Sequence, residues 1–339
     1  MTANARGILV VGPSWVGDMV MTGSLLRMLA ARRQGPIDVV APAWSQPLLQ
    51  RMPEVRRGFL LDAGHGEIGL AARRRLAREL HARDYAQAIV LPRSFKAALV
   101  PWLARIPRRT GMRGEFRFGL INDMRPVEWT RSKPMIERLC ALGLEPGEHL
   151  PDPLPNPHLR VDPAAQQRLM ERLGITGSAP AAALLPGAEH GPAKRWPAPY
   201  FAELAQRFRA EGFTVWLLGS PKDAATGEEI VEASRGAAIN LCGRTELVDA
   251  VDLLGAARVA VSNDSGLLHI AAAVGTPVVG LYGSSSPIYT PPLTDRREVL
   301  YLDLYCSPCF EPECPLGHFR CMREITPAMA FEAAMRLSP

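Results

Sequence analysis

The chain has 339 residues, of which 47% are hydrophobic and 22% charged, which is typical of a globular protein and enough for two domains. No apolar run approaches the length of a membrane-spanning helix, and residues 1–6 show no signal-peptide pattern, so we predict a cytoplasmic protein and not an integral membrane protein. The net charge of +5 is uneven: residues 1–160 carry 24 Lys and Arg against 14 Asp and Glu, whereas residues 161–339 carry 15 against 20. The first half should attract an acidic partner (nucleic acid, an anionic membrane or a phosphorylated substrate) unless its basic surface is merely solvated.

The first predicted strand, Gly7–Gly12, leads through a glycine-containing turn into a helix over about Met19–Arg33. The spacing Gly12-x4-Gly17 is that of a phosphate-binding P-loop, but Asp18 stands where lysine is required, and a carboxylate there would repel phosphates. The turn also lacks the Gly-x-Gly-x-x-Gly pattern of dinucleotide-binding domains. Asp18 is therefore a candidate general base, with a purely structural role at the helix start as the alternative.

Strand-like runs at Ile37–Ala41 and Ala88–Leu91 are separated by helical segments such as Glu67–Ala82, which predicts a parallel sheet. Ligands of such sheets bind outside the carboxyl ends of the strands. Basic residues that follow the second run are candidates for binding an acidic substrate: Arg93, Lys96, Arg108, Arg109 and Arg113. The apolar run Leu99–Leu103 among them is either a buried helix or a segment that touches a membrane surface.

A proline-dense segment, Pro151–Pro157, predicts a linker between two domains. A second alternation of strands and helices follows it. The predicted strands are Ala181–Leu185, Thr214–Leu218, Ala238–Leu241, Val259–Val261 and Pro277–Leu281, and the predicted helices are Pro163–Leu173, Ala198–Ala210, Lys222–Ser234 and Glu246–Ala256. We therefore predict an α/β fold with two doubly wound, Rossmann-like domains of parallel sheet that face each other across a cleft.

Small or polar residues end four strands of the second half, and their convergence on one sheet edge indicates a nucleotide site. Gly187 follows the first of these strands, and Lys194 and Arg195 stand shortly before a helix, where they can neutralise a diphosphate. The polar cluster Ser262–Ser265 is typical of a turn that caps a helix N-terminus, an end that suits phosphate.

In that same stretch Gly266 lets a ligand approach closely. His269 lies one helical turn further on, where its ring can face the same crevice as Asp264 and Ser265. A capped helix that carries an incidental histidine is the alternative.

Four of the six cysteines lie within sixteen positions: Cys306, Cys309, Cys314 and Cys321, with His318 among them. They are candidate ligands of a structural zinc ion, although their spacing is not the two short pairs of a zinc ribbon. Reduced thiols in a packed loop are the alternative.

Four segments, taken in this order, resemble the lipopolysaccharide heptosyltransferases of glycosyltransferase family 9. They are Ile8-Leu-Val-Val-Gly-Pro-Ser-Trp-Val-Gly-Asp18, Arg93-Ser-Phe-Lys96, Pro186-Gly-Ala-Glu-His-Gly-Pro-Ala-Lys-Arg-Trp-Pro197 and Asn263-Asp-Ser-Gly-Leu-Leu-His269. The resemblance covers essentially the full chain. It implies a GT-B fold with an acceptor-binding domain over residues 1–155, a nucleotide-sugar-binding domain over residues 156–325, and a C-terminal helix over residues 326–339 that returns to the first domain.

The resemblance also implies an inverting transfer of L-glycero-D-manno-heptose from ADP-heptose to the first heptose of the Kdo–lipid A inner core. Asp18 then occupies the place of the catalytic base and Lys194 that of the lysine at the donor phosphates. The implied donor-binding residues are Gly187, Arg195, Asp264, Ser265, Gly266 and His269. Related members often have threonine where Ser265 stands, a change that preserves the hydroxyl.

The chain has no Asp-x-Asp metal motif, so we expect transfer without a divalent cation. The basic first domain would bind the acidic heptosyl-Kdo–lipid A acceptor at the cytoplasmic face of the inner membrane, as a peripheral protein. No nucleic-acid partner is expected, since no reader motif is present. The alternatives are another GT-B sugar-nucleotide transferase or epimerase, and a non-catalytic glycolipid-binding protein in which Asp18 and Lys194 would be dispensable.

Overall fold

The computed structural model describes residues 6–32, 35–64, 67–126 and 131–338. The chain divides into two units, Met1–His158 and Leu159–Pro339. This division lies three residues after the end of the predicted first domain. Each unit contains one six-stranded sheet in which all neighbouring strands are parallel.

The first sheet has the strand order β3-β2-β1-β4-β5-β6. Its strands are β1 (Gly7–Val11), β2 (Ile37–Ala41), β3 (Val55–Leu60), β4 (Tyr85–Val90), β5 (Arg108–Met112) and β6 (Asp123–Arg125). The first two strands are buried along their whole length, which explains why their apolar runs were readable in the sequence. Strands β3, β5 and β6 were not predicted, because they lie toward the edges of the sheet and carry charged residues.

The helices of the first unit are α1 (Val16–Ala31), α2 (Gln46–Gln50), α3 (Leu70–His81), α4 (Phe95–Leu103) and α5 (Met135–Ala141). Helix α1 is apolar around most of its circumference and is largely buried, whereas α3 turns Leu76, Ala77 and Leu80 inward and most of its arginines toward solvent. The predicted end of the first helix at Arg33 lies outside the described residues.

The second sheet has the order β12-β11-β10-β7-β8-β9. Its strands are β7 (Ala181–Leu185), β8 (Thr214–Leu217), β9 (Ile239–Asn240), β10 (Val259–Asn263), β11 (Val278–Tyr282) and β12 (Arg297–Tyr301). Five of the six were predicted to within a few residues, because each is a short apolar run between turn residues. The edge strand β12 was missed, since it is only partly buried and begins with charged residues.

The helices of the second unit are α6 (Pro163–Leu173), α7 (Ala198–Ala210), α8 (Ala224–Ala233), α9 (Leu247–Ala256), α10 (Gly266–Ala273), α11 (Arg320–Arg323) and α12 (Pro327–Leu337). Helix α6 begins where Asp162 accepts hydrogen bonds from the backbone N–H groups of Ala164 and Ala165. None of the helices in the described ranges combines the length and the apolar character needed to cross a membrane.

The C-terminal helix belongs to the second unit, whereas the family resemblance implied that it returns to the first domain. Helix α12 packs against helix α7 and against strands β10, β11 and β12. Its alanines Ala330, Ala333 and Ala334 are fully buried, and the Phe331 ring meets Phe208 of α7 edge to face, with 5.3 Å between the centroids. This apolar face completes the core of the second unit.

The strand order of each sheet reverses at one place, between β1 and β4 in the first sheet and between β7 and β10 in the second. In open α/β sheets, ligands bind at such a reversal, outside the carboxyl ends of the strands. The residues that follow these four strands therefore define the candidate site of each unit.

Candidate active site

An ion pair at the reversal point of the second sheet joins the loop after β7 to the loop after β10. Lys194 Nζ lies 2.6 Å from Asp264 Oδ2, and the two side chains are only 19% and 6% exposed. Partial burial strengthens the attraction and holds the ammonium group in one place. A fixed positive charge at this sheet edge is suited to an anionic group of a ligand.

Asn263, the last residue of β10, fastens both ends of the loop that carries Lys194. Its Oδ1 accepts a hydrogen bond from the Trp196 backbone N–H at 3.1 Å, and its Nδ2 donates to the Pro186 carbonyl oxygen at 2.8 Å. The Trp196 indole N–H donates to the Ile325 carbonyl oxygen at 2.8 Å. Asn263 appeared in the sequence analysis only as part of a motif, so its positioning role was missed.

The His269 ring is buried next to the same ion pair, with Nε2 at 3.9 Å from Asp264 Oδ1. Burial lowers the pKa of His269 below its ordinary value; Asp264 acts in the opposite direction, and Lys194 lowers it further. The ring is therefore neutral at pH 7. Its Nδ1 atom is buried and has no hydrogen-bond partner among the described residues.

Helix α10 starts beside this ion pair with an uncapped N-terminus. Ser265 occupies the N-cap position, as predicted, but its hydroxyl makes no hydrogen bond to the helix and lies instead 3.2 Å from Ser262 Oγ. The first backbone N–H groups, starting at Gly266, therefore have no side-chain acceptor from the cap residue. Such an end suits an anion.

Gly187 allows the loops after β7 and β8 to pack closely. A Cβ atom at this position would lie 2.7 Å from Asp223 Oδ2. That carboxylate already accepts hydrogen bonds from the backbone N–H and the hydroxyl of Ser220, at 2.8 and 2.7 Å. Arg195, which follows Lys194, is exposed, and one of its guanidinium nitrogens lies 3.4 Å from the Ala188 carbonyl oxygen.

Asp18 lies in the first turn of α1, directly after the carboxyl end of β1, and is half-buried. Residue 12 is glycine, and a Cβ atom there would lie 2.7 Å from the terminal methyl group of Met19 in that helix. The Asp18 carboxylate therefore lies near the reversal point of the first sheet. Its role as a base stays a prediction.

Three of the five candidate acceptor-binding residues follow the carboxyl ends of β4 and β5: Arg93, Lys96 and Arg113. The two loops are in direct contact. Arg93 Nε donates to the Arg113 carbonyl oxygen at 3.1 Å, and the Glu115 backbone N–H donates to the Arg93 carbonyl oxygen at 3.2 Å. The structure thus brings these three residues to one edge of the sheet.

The expectation that Arg108 and Arg109 lie at this edge is wrong, because they are the first two residues of β5 and stand at its amino end. Arg108 pairs with Asp123 at 2.8 Å and with Glu145 at 2.6 Å. Arg109 donates to backbone carbonyl oxygens, among them that of Leu120 at 2.7 Å. Both arginines hold local structure together.

The cysteine segment, residues 306–321, packs against the loop that carries Lys194. The Ala193 backbone N–H donates to the Pro312 carbonyl oxygen at 3.0 Å, and His190 Nε2 lies 3.3 Å from the Phe310 carbonyl oxygen. Gly191 lies so close to this segment that a Cβ atom would overlap the Pro312 carbonyl group. The segment therefore helps to shape the loop of the ion pair.

All six cysteines are free thiols. Within the part of the chain that the structure describes, no group of three or more His, Cys, Asp or Glu side chains is arranged to hold a metal ion. Burial, followed by the charges of Cys309, Cys306 and Cys314, raises the pKa of Cys321 to about 11. The zinc site and its alternative, packed reduced thiols, both stay predictions.

The chain was compared with known proteins. The model of glycosyltransferase family 9 (heptosyltransferase) matches residues 73–320. Lipopolysaccharide heptosyltransferase 2 of Escherichia coli strain K12 is 44% identical over 335 residues, which cover 96% of each chain. Lipooligosaccharide heptosyltransferase 2 of Haemophilus influenzae is 42% identical over 96% of this chain and 97% of that relative.

The solved structure of E. coli ADP-heptose lps heptosyltransferase II superposes with a TM-score of 0.87 at 42% identity, over 98% of both chains. This likeness and the two parallel sheets confirm the predicted GT-B class of fold. The chain therefore belongs to glycosyltransferase family 9, the heptosyltransferases.

Proposed function

We propose that this glycosyltransferase moves L-glycero-D-manno-heptose from ADP-heptose to the first heptose of the Kdo–lipid A inner core, with inversion at the anomeric carbon. The observation that carries the proposal is the partly buried Lys194–Asp264 pair beside the start of α10, at the reversal point of the second sheet. Relatives that are 42–44% identical to this chain over almost its whole length are named heptosyltransferase 2, which supports the same reaction here.

The second unit binds the donor in this proposal. The Lys194 ammonium group and the first N–H groups of α10 face the diphosphate and stabilise the negative charge that develops as ADP departs. Asp264 acts as a positioning residue, because its carboxylate is almost fully buried and holds the lysine. Asn263 fixes both ends of the lysine loop, so the charge is in place before the donor arrives.

The first unit binds the acceptor. Asp18 takes the proton from the acceptor hydroxyl while the oxygen attacks the anomeric carbon. One carbon–oxygen bond forms to the acceptor, the bond to the diphosphate breaks, and ADP carries away the bonding electrons. Arg93, Lys96 and Arg113 supply positive charge for the Kdo carboxylates and the phosphates of the acceptor.

We propose that this transfer needs no divalent cation, since a lysine and a helix N-terminus supply positive charge at the leaving diphosphate. Because the acceptor is a membrane glycolipid, the proposed location is the cytoplasmic face of the inner membrane, where the chain acts as a peripheral protein. The basic excess of residues 1–160 supports this placement.

The test is ADP release from ADP-heptose, measured with and without a heptosyl-Kdo–lipid A acceptor, in the presence of EDTA. We expect the wild type to release ADP only with acceptor. Asp18→Asn should lower kcat by about 10² to 10⁴ while donor binding persists. Lys194→Met should lower kcat by about 10² to 10³ and also weaken donor binding.

Asp295→Asn is the matched control. Asp295 is an exposed carboxylate that stands just before the amino end of β12, whereas Lys194 and Asp264 follow the carboxyl ends of β7 and β10. It should retain wild-type activity. Full activity of Asp18→Asn would contradict the proposed role of Asp18 as the catalytic base. Acceptor binding by the wild type without ADP release would contradict the transferase proposal, and activity that EDTA abolishes would contradict cation-independent transfer.

A further inference from the structure

The loop after β5 exposes two phenylalanine rings on either side of a buried arginine. Phe116 is 91% exposed and Phe118 is 65% exposed, whereas Arg117 between them is 1% exposed. The Arg117 guanidinium group donates to the Pro92 carbonyl oxygen at 2.6 Å and also to the Met112 carbonyl oxygen. The arginine anchors the loop on the ends of β4 and β5, and the alternation of side chains turns both rings outward.

Helix α4 extends this aromatic surface. Phe95 and Trp102 are both exposed, and a separation of seven residues places them on the same side of the helix. Glu115 joins the helix to the phenylalanine loop, since its Oε2 accepts a hydrogen bond from the Phe95 backbone N–H at 2.9 Å. Two neighbouring segments therefore form one surface, the aromatic patch, which consists of Phe95, Trp102, Phe116 and Phe118.

Basic residues lie close to the aromatic patch along the chain. Residues 93–118 contain one acidic residue, Glu115; of their seven Lys and Arg, Arg117 is buried and Arg108 and Arg109 are held at the amino end of β5, which leaves Arg93, Lys96, Arg105 and Arg113. Arg105 and Arg113 are exposed, and neither side chain forms an ion pair with any other described residue. A monomeric protein rarely exposes several large aromatic side chains together, and a rim of positive charge selects for an anionic partner.

We propose that the aromatic patch, with Arg105 and Arg113, docks the chain on the surface of an anionic phospholipid bilayer. Aromatic rings are favoured at the level of the lipid headgroups, where their apolar faces are buried, and arginines pair there with lipid phosphates. This inference deepens the proposed function and rests on it, since the proposed acceptor is a glycolipid. The docked surface includes the loops after β4 and β5, so Arg93 and Lys96 would stand close to the headgroups that surround an acceptor.

The test is sedimentation of the full chain with vesicles of phosphatidylethanolamine and phosphatidylglycerol, compared with vesicles of phosphatidylcholine alone. We expect the wild type to bind the anionic vesicles at least about tenfold more strongly, and high salt to weaken this binding. Phe116→Ser/Phe118→Ser should lose about tenfold or more of the binding, and Arg105→Gln should reduce the preference for anionic lipid. Phe116→Ser alone is a further variant, and we expect it to fold like the wild type, since this ring is almost entirely exposed.

Leu60→Ser is the matched control, because Leu60 is an exposed apolar residue on the edge strand β3, four strand spacings or about 19 Å from β5. It should bind vesicles like the wild type. Equal binding to both kinds of vesicle, or undiminished binding by both phenylalanine variants, would overturn the proposal.

Transfer to a delipidated, water-soluble acceptor separates this inference from the proposed function. The phenylalanine variants should retain wild-type transfer to that acceptor, because none of the proposed catalytic groups is changed. Loss of this transfer would overturn the docking role, since it would place the rings in acceptor binding. If the wild type bound vesicles through the aromatic patch but did not transfer heptose, the proposed function would be wrong. The docking surface would still be supported.

Discussion

The buried His269 ring should make the free energy of unfolding decrease as the pH falls, because burial disfavours its protonated form. Its pKa is lowered mainly by burial, so the folded chain holds the ring neutral, whereas in the unfolded chain the ring titrates near the ordinary value of about 6.5. Below that value the unfolded chain binds more protons than the folded chain, and stability is lost as the pH falls. We therefore expect the free energy of unfolding to decrease from about pH 7 toward pH 5, a window set by the ordinary value of histidine.

Urea unfolding at a series of pH values measures this effect. His269→Gln replaces the ring with a group that does not titrate, so its free energy of unfolding should fall less steeply over the same range. His149→Gln is the control, because His149 is exposed, and it should follow the wild-type curve. Parallel curves for the wild type and His269→Gln would show that another group controls the acid sensitivity.

The candidate residues whose position at a sheet edge was predicted correctly include those that follow apolar strands. Asp18, Lys194 and Asp264 all follow a buried run and a turn, a local pattern that places a side chain at the carboxyl edge of a sheet. Asn263 and Arg117 were missed as positioning residues, because their partners are set by tertiary structure. The Trp196 backbone N–H, for example, lies 67 residues away from Asn263 along the chain.

At the level of elements, the loop between β7 and α7 depends on one glycine that touches the cysteine segment. Gly191 has φ of +145°, and a Cβ atom there would overlap the Pro312 carbonyl group. Gly191→Ala should therefore cost more stability than the backbone strain of about 1 to 2 kcal/mol that alanine at a positive φ imposes. Displacement of the adjacent Lys194 should also weaken ADP-heptose binding roughly tenfold, which corresponds to about 1.4 kcal/mol.

Gly212→Ala is the matched control for this change. Gly212 also has a positive φ, of +80°, but a Cβ atom there would meet nothing within 4 Å. It should lose stability in urea unfolding through backbone strain alone and keep the wild-type donor affinity in calorimetry. Equal losses of donor affinity in the two variants would mean that the contact with Pro312 does not shape the site.

How well an element was predicted follows from how it is buried. Strands β1, β2, β7 and β10 are buried along their whole length and are mostly apolar, although β2 contains Asp38 and β10 ends in Ser262 and Asn263. Strand β5 begins with two arginines, and its partly polar sequence was interpreted as a substrate-binding segment that follows a strand. The place of α12 on the first domain was implied by the family resemblance and not by the residues of the helix, whose apolar face does not specify its partner.

On the scale of the whole molecule, the uneven charge agrees with the proposal that the first unit binds the acceptor and the second unit binds the donor. The acidic acceptor is assigned to the first unit, whose residues 1–158 carry 23 Lys and Arg against 14 Asp and Glu, and the donor to the second unit, which carries more acidic than basic residues. Surface charge of this kind raises the rate at which an oppositely charged ligand meets the protein. Dissolved salt screens this long-range attraction. The proposed donor site instead depends on a partly buried ion pair, which salt screens much less.

Steady-state kinetics at increasing ionic strength can separate these two kinds of electrostatics. Between about 50 and about 300 mM NaCl, the KM for a soluble acceptor should rise several-fold, whereas the KM for ADP-heptose should change less than about twofold. Arg93→Gln/Arg113→Gln should raise the acceptor KM at low salt and flatten its dependence on salt, because those charges lie at the proposed acceptor edge. Arg78→Gln, which removes an exposed charge from α3, should leave the dependence as in the wild type. If salt raised both KM values to the same extent, the basic excess of the first half would have no specific part in acceptor capture.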